Sequence, residues 1–466
     1  MILSRRFLWS LLAFALLIRL LSLGGYPLMD TTEARYGEMA RLMVETGNWL
    51  TPQFDYNVPF WGKPPLFAWI SAAGIKLFGT SEFAVRMPHW LTGVLTIALV
   101  AFFAAKRGIN PLIPGIVMAS CGIFAIAAGA VMTDMVLTFS VTLSMAGFYL
   151  CWADQTLKGR LWGYAAFTGL ALGLLAKGPV ALVIIGLAVV PWLIMQHGFS
   201  GAFAALWSRF PMVKGFGLML LIALPWYILA EHATPGFLDY FIVGEHFMRF
   251  TVSGWEGDLY GTAHDQPRGT IWIYWLVSSA PWSFILPVLL LKRRALTKAM
   301  SEDRPGLVSL LLLWMISPLM LFSLAGNILP AYVLPGVPAL SILIAILLKD
   351  GDEKWFKPVA LFIPVLLIGA VFYLNLGKAE SRSDRVLFES TDKNVPAYYV
   401  GHRPFSGQFY SSGKARPLTE DSRLTTKSFY LIGKEKEVIT QINNGNFSCS
   451  KELTAESGRA RYLCTH

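Results

Sequence analysis

The chain has 466 residues, of which 55% are hydrophobic, 14% aromatic and only 15% charged. Soluble domains carry about 25% charged residues, so this composition excludes an ordinary soluble protein and predicts an integral membrane one. The net charge of +10 does not call for a nucleic-acid partner, because most of the basic residues before the polar C-terminal stretch lie in short connections between apolar runs, where they orient a protein in a bilayer.

The first apolar run, over residues 7–24, follows Arg5 and Arg6 as a signal peptide would, but no small-residue cleavage site of the A-x-A kind ends it. It reads as an uncleaved span. Arg19 within it reads as a residue snorkelling to the outer interface, the other reading being a partner for a buried acid. Crossing a bilayer takes about 17–25 residues, and further runs of that kind fall near 84–105, 110–131, 135–154, 161–176, 179–196, 215–231, 271–291, 306–325, 328–348 and 358–376. The prediction is an α-helical polytopic membrane protein with about eleven or more spans. Arg5/Arg6, Lys106/Arg107, Lys158/Arg160, Arg209/Lys214, the group Lys292, Arg293, Arg294 and Lys298, and Lys349/Lys354/Lys357 fall in alternate connections. That alternation predicts a cytoplasmic N-terminus and places residues 25–83, 232–270 and 377–466 on the outer face, with Asp134 and Lys177 at outer span ends.

Within the first outer loop, Tyr36, Met39, Ala40 and Met43 recur at helical spacing. They predict an amphipathic helix over 33–46, ending near Gly47 and resting in the membrane interface. Asp30 reads as its N-cap with Glu33 as capping-box partner. The same acids can also face a reaction site at the membrane surface, and the two readings are compatible. Downstream, Lys63 stands among Trp49, Phe54, Phe60 and Trp61 and is followed by two prolines. A lysine fixed in this way suits an anionic lipid headgroup; an interfacial anchor is the alternative.

The polar segment 377–466 reads as a small α/β domain: strands at "PAYYVG", "SFYLIG" and "ARYLCTH", and a helix at "KEVITQI". Cys121 and Cys151 lie in apolar runs as inert core residues. Cys449 and Cys464 lie in the polar segment, and on an oxidising outer face they would form a disulfide.

The stretches "DTTEARYGEMARLM", "GNWLTPQFDYNVPFWGKPPLFAW", "FGTSEFAVRMP", "MTDMVL", "LLAKGPVAL" and "ILPAYVLPGVPAL", taken together and in this order, resemble the GT-C superfamily of polyprenyl-phosphate-sugar glycosyltransferases. More narrowly, they resemble bacterial lipid A aminoarabinose transferases and protein O-mannosyltransferases. The resemblance implies a transmembrane catalytic domain over 1–376, a periplasmic domain over 377–466, and a reaction-centre acid before the first-loop helix. The family pattern has Asp directly before Glu; here Thr32 takes that place, so Asp30 is the first candidate and Glu33 the second. It further implies donor-phosphate binding by Lys63, a second-turn acid at Asp134, and cavity-facing bases at Arg86 and Lys177. Arg35 and Tyr36 are additional cavity candidates. His264 matches a histidine that in some relatives helps hold a divalent metal, but the partner glutamate position is Gly62, with Glu245 and His246 as substitutes.

These roles match the chemistry. A sugar leaving a polyprenyl phosphate generates a phosphate monoester dianion, which cations beside the glycosidic oxygen stabilise. A hydroxyl acceptor needs a base such as Asp30, whereas a lipid A phosphate arrives as an anion; direct attack inverts the anomeric centre in both cases. A transporter is the main competing class, disfavoured by spans nearly free of ionisable residues. A structural scaffold is the third.

Overall fold

The computed structural model describes residues 4–252, 254–261, 264–292, 306–348, 352–392, 394–419, 424, 426–445 and 447–465. Most of the cluster Lys292, Arg293, Arg294 and Lys298, together with Lys349, lies outside the described residues or has no described side chain.

The chain begins with α1 (Arg5–Ser22), then α2 (Thr32–Thr46), the hairpin β1 (Gln53–Asp55) and β2 (Val58–Pro59), α3 (Leu66–Phe78) and α4 (Glu82–Lys106). Two short helices, α5 (Leu112–Ala119) and α6 (Gly122–Ala127), precede α7 (Thr133–Ala153), α8 (Leu157–Lys177), α9 (Val180–Arg209) and α10 (Met212–Ala233). The bundle continues with helices Thr270–Ser278, Trp282–Lys292, Leu307–Ser323, Val337–Leu347 and Glu353–Tyr373. Six described helices are long and apolar enough to cross a membrane, and a seventh results if Thr270–Ser278 and Trp282–Leu291, bent by 97°, form one span. The protein is therefore a polytopic helical membrane protein.

Several of the predicted spans take other forms. The run 110–131 divides into α5 and α6, where the Gly122 N–H donates to the Ala280 carbonyl at 3.0 Å instead of continuing a helix. The apolar stretch after residue 328 opens with a 3₁₀ turn, Pro330–Gly336, because two prolines interrupt α-helical hydrogen bonding there. Arg19 does not snorkel. Its guanidinium is buried and donates to the Ser22 hydroxyl at 2.8 Å and the Ile126 carbonyl at 3.0 Å, and among the described residues it meets no acid.

The pair α7 and α8 positions the site. Three residues join them, which makes them antiparallel neighbours. Glycines let their backbones approach: a Cβ at Gly169 would stand 2.5 Å from the Ser144 nitrogen, and one at Gly147 would stand 2.7 Å from the Trp162 carbonyl. The start of α7 and the end of α8 are thereby brought to one end of the bundle.

At that same end, α2 is buried on nearly all sides and does not rest on a membrane with one face. Met39, Ala40 and Met43 pack with Phe67, Ala68 and Ala72 of α3, while Phe409 of the short helix Phe405–Tyr410 covers the other side. Gly37 allows this closure, since a Cβ there would stand 2.8 Å from Leu28 and 3.7 Å from Phe409. Gly47 ends α2 in the left-handed conformation, φ 70°.

The C-terminal segment folds as a five-stranded sheet in the order β4-β3-β5-β7-β6: β3 (Ala397–Tyr399), β4 (Arg416–Pro417), β5 (Ser428–Lys434), β6 (Ser448–Thr454) and β7 (Arg459–Thr465). β3 runs parallel to β4 and β5, whereas β5, β7 and β6 are antiparallel. Helix Glu435–Asn444 packs on β5 through Val438. Cys449 and Cys464 are register partners on β6 and β7 and are disulfide-bonded. Cys121 and Cys151 are buried and form no disulfide.

Candidate active site

A cavity of about 610 Å³ opens where the two long loops, the ends of α7 and α8, and the C-terminal segment meet. Asp134 lies in the first turn of α7 and Lys177 in the last turn of α8, positions that favour an acid and a base respectively. They form an ion pair at 2.6 Å on the cavity wall, with the Lys177 ammonium 4.1 Å from the centre of the Tyr332 ring.

Across the cavity, Lys63 donates to Glu245 at 3.1 Å and to its neighbour's carbonyl, Gly62 O, at 2.6 Å. Its aromatic surroundings differ from the sequence reading. Trp61 turns its indole to the Thr234 hydroxyl, and the Trp49 ring faces Lys76 at 5.1 Å. Glu245 stands on a π-helical turn, Asp239–Met248, and also accepts from Arg249 at 2.9 Å. Burial pushes the Glu245 carboxyl up, yet Lys63 and Arg249 outweigh burial and hold it below the ordinary carboxylate range. Arg249 reaches Asp258 at 3.2 Å as well. The Glu245 and Arg249 spacing of four residues was the available signal for this pair; Asp258, Tyr260 and Tyr332 carried none.

The first-loop acids part company. Asp30 is not a helix cap: the N-cap position is Thr31, which makes no side-chain bond. Instead the Asp30 carboxylate lines the cavity and accepts from the Ser406 N–H at 3.0 Å and from the Ser406 hydroxyl. Burial raises its carboxyl above the ordinary range, against the lowering effect of Ser406. Glu33 is absent from the cavity lining and accepts from Arg86 Nε and Nη2, both at 2.8 Å. Arg86 is fully buried, and its remaining donors go to the carbonyls of Leu23, Tyr26 and Pro27. Arg86 therefore does not face the cavity; it knots the chain before α2 onto α4.

Arg35 and Tyr36 both line the cavity. Arg35 donates to the Tyr260 carbonyl, and its Nε, though buried, has no hydrogen-bond partner among the described residues. Tyr36 packs on Phe67 at 4.5 Å between centroids, and burial pushes its phenol up. His246 pins the π-helical turn to the end of α8: Nδ1 lies 2.7 Å from the Phe241 carbonyl and Nε2 lies 3.1 Å from that of Lys177. Burial pushes its imidazole down. His264 lines the cavity, and burial, then Arg249 and Arg35, push its imidazole down too.

These residues do not fit a divalent ion. Gly62 offers no side chain, and a Cβ there would stand 3.4 Å from Glu245, whose carboxylate is already taken by two cations. His264 has the positive charges of Arg249 and Arg35 near it. Among the described residues no three His, Cys, Asp or Glu side chains gather to hold a metal.

A second, apolar pocket of about 270 Å³ adjoins the cavity and shares Lys63, Lys177, Glu245, Arg249 and Tyr332 with it. Its other walls are Pro179, Val180 and Val183 at the start of α9, Phe250, Leu321 and Phe322, with His246 and Asn327 as polar members. Three cations thus stand at the junction of an apolar groove and a polar chamber.

Residues 6–241 match the family model described as dolichyl-phosphate-mannose-protein mannosyltransferase. The undecaprenyl phosphate-alpha-4-amino-4-deoxy-L-arabinose arabinosyl transferase of Aeromonas salmonicida is 31% identical over 370 residues, covering 75% of this chain and 62% of that protein. A protein of the same description from Aeromonas hydrophila is 32% identical over 363 residues, again covering 75% and 62%. The chain spans 62% of the length of both. Among solved structures, ArnT from Cupriavidus metallidurans bound to undecaprenyl phosphate superposes with a TM-score of 0.76 at 18% identity, over 99% of this chain and 98% of that one. The oligosaccharyltransferase of Archaeoglobus fulgidus superposes with a TM-score of 0.52 at 12% identity, over 89% and 64%. At these identities the structures show likeness of fold.

Proposed function

The chain belongs to the dolichyl-phosphate-mannose-protein mannosyltransferase family, and from that premise we propose that it is an inverting glycosyltransferase moving a sugar from an undecaprenyl-phosphate-linked donor to an acceptor at the outer face of a bacterial inner membrane. The observation that carries the proposal is the gathering of Lys63, Lys177 and Arg249 where the apolar groove meets the polar cavity. A polyprenyl phosphate has this division: an apolar chain for the groove and an anionic head for the cations. The relatives named as undecaprenyl phosphate-aminoarabinose arabinosyl transferases support a sugar carried on undecaprenyl phosphate as donor, and the proposed acceptor is lipid A or another envelope glycan. A protein acceptor is the alternative suggested by the family description.

In the proposed reaction the acceptor oxygen attacks the anomeric carbon while the bond from that carbon to the phosphate oxygen breaks, leaving undecaprenyl phosphate. Lys63, Lys177 and Arg249 oppose the charge growing on that oxygen, and each is held in place by Glu245, Asp134 or Asp258. Such donors, fixed before the reaction, lower the barrier because they need not reorganise. Asp30 is the proposed base for a hydroxyl acceptor: Ser406 uses two of about four carboxylate lone-pair sites, which leaves capacity for an acceptor proton. A phosphate acceptor needs no such step.

The proposed topology has a cytoplasmic N-terminus, about eleven spans within residues 1–376, and a periplasmic α/β domain from residue 377. The alternating basic connections support it. The test is to incubate the purified protein with undecaprenyl-phosphate-linked aminoarabinose and lipid A or a Ser/Thr-rich peptide, and to follow both lipids and peptide by mass spectrometry. Donor consumption with a matching mass gain on lipid A is expected. An intact donor with either acceptor would overturn the proposal, and a gain on the peptide alone would establish the alternative.

A further inference from the structure

A separate cleft of about 1140 Å³ lies outside the reaction cavity, between the β1–β2 hairpin and the β3–β4 side of the C-terminal sheet. Small-molecule pockets occupy about 300–1,000 Å³, so this volume suits an extended ligand. Its partition from the reaction cavity is thin. Phe54 and Asp55, neighbours on β1, face opposite ways, Phe54 into the cavity and Asp55 into the cleft. His402 and Arg403 divide in the same manner. The wall is closed by the Phe54 and Phe405 rings, 5.0 Å apart edge to face, and by the Arg403–Asp55 ion pair.

The lining has a particular chemistry. Tyr56 and Tyr398 contribute aromatic rings. The Tyr56 hydroxyl is fixed, donating to Glu45 at 2.7 Å and accepting from Arg41 at 3.2 Å. Gly413, at φ 74°, closes against it, and a Cβ there would stand 2.2 Å from that hydroxyl. Acids Glu45 and Asp55 share the lining with the bases Arg403, Lys414 and Arg416, and Arg403 is itself paired with Asp55, so the walls carry both signs of charge rather than the single sign of a trap for phosphate or for a cation. The polar walls do not suit a lipid tail. Rigid aromatic faces beside prearranged donors and acceptors suit a sugar, whose ring has an apolar face and a hydroxyl rim. A peptide adding to the sheet edge is disfavoured, because β4 is only the two residues Arg416–Pro417 and proline has no N–H to pair.

We propose that this outer cleft is a saccharide subsite for the glycan portion of the acceptor, with the end to be modified reaching past the Phe54–Phe405 wall into the reaction cavity. The inference rests on the glycosyl-transfer reading above and assigns that reading's acceptor a carbohydrate chain.

Saturation-transfer NMR on the full chain in nanodiscs tests it, with deacylated lipopolysaccharide core oligosaccharides and a Ser/Thr-rich peptide as probes and undecaprenyl phosphate binding followed in parallel. Oligosaccharide binding is expected, weakened about ten-fold or more by Tyr398→Ala and by Arg416→Ser and unaffected by Lys63→Ala. Arg416 is exposed, so its variant tests the site even if Tyr398→Ala does not fold. Oligosaccharide binding that Lys63→Ala removes while Arg416→Ser retains it would overturn the subsite, as would binding of the peptide alone or of neither probe. Undecaprenyl phosphate bound normally alongside such a result leaves the transfer reading intact. Failure to bind that lipid counts against the transfer reading itself.

Discussion

Asp134 and Lys177 meet at 2.6 Å although 43 residues separate them, because α7 and α8 form a glycine-packed hairpin whose two free ends coincide. Each is the other's only charged hydrogen-bond partner among the described contacts, and both are buried. Removing one charge therefore strands the other, a change that typically costs about 3–5 kcal/mol.

Asp134→Asn should accordingly lower both thermal stability in detergent and transfer. Lys177→Met together with Asp134→Leu should recover stability, since a buried ion pair is often replaceable by apolar packing, but should not recover transfer. Melting curves and turnover per folded molecule check both halves. Recovery of turnover in the double variant would remove Lys177 from the reaction.

Lys63→Ala should reduce transfer by about 10²–10³, and Lys63→Arg should rescue it only partly. The ammonium fits between the Glu245 carboxylate and the Gly62 carbonyl, a compact geometry that a planar guanidinium does not reproduce. Turnover per folded molecule for both variants is the readout, and near-normal turnover in Lys63→Ala would refute the donor-phosphate role.

Asp30 yields a pH prediction. Its carboxyl is raised by burial in the fold, so the native state holds that proton more tightly than the unfolded state does. The group's contribution to stability is then greatest below its unfolded value, about 3.9, and falls as pH rises through the folded value. Asp30→Asn cannot ionise. Relative to the wild type it should gain stability at neutral pH and lose that advantage in acid, while transfer to a hydroxyl acceptor is abolished. Melting temperatures of both proteins across pH 4–8 test the sign.

Thiol labelling under denaturing conditions should leave Cys449 and Cys464 unmodified until a reductant is added. The bond closes a loop with a sequence separation of 15, worth about 3 kcal/mol in the chain-entropy account. Reduction should therefore loosen the β6 edge first, seen as faster hydrogen exchange at Ser448–Thr454. Full labelling without reductant would argue against an oxidising compartment for this segment.

Legibility in the sequence followed distance along the chain. Hydropathy disclosed a polytopic helical membrane protein, since apolar length is a local property of the residues that carry it. It did not reveal the break between α5 and α6, which depends on a carbonyl from Ala280. Lys63 stood out through its aromatic and proline neighbours, but its partner Glu245 lies 182 residues away. Asp30 suggested a cap because a cap is what local pattern offers; its partner Ser406 is 376 residues distant. The family resemblance implied a cavity-facing base at Arg86, and nothing local disclosed that Glu33 and three carbonyls consume its donors.

The bond between Asp30 and Ser406 also bears on biogenesis. The acid emerges from the ribosome some 376 residues before Ser406 of the helix Phe405–Tyr410, which holds it and covers α2. A nascent chain can insert its early helices and build the α7–α8 hairpin with the cavity still lacking that wall. Synthesis at about 5–20 residues per second separates the two events by roughly 20–75 seconds, so a half-made protein has an unfinished Asp30 environment. Chains that stall or are cleaved before Ser406 should occupy the membrane as folded but inactive bundles, and competence should arrive in a single late step when the C-terminal segment docks.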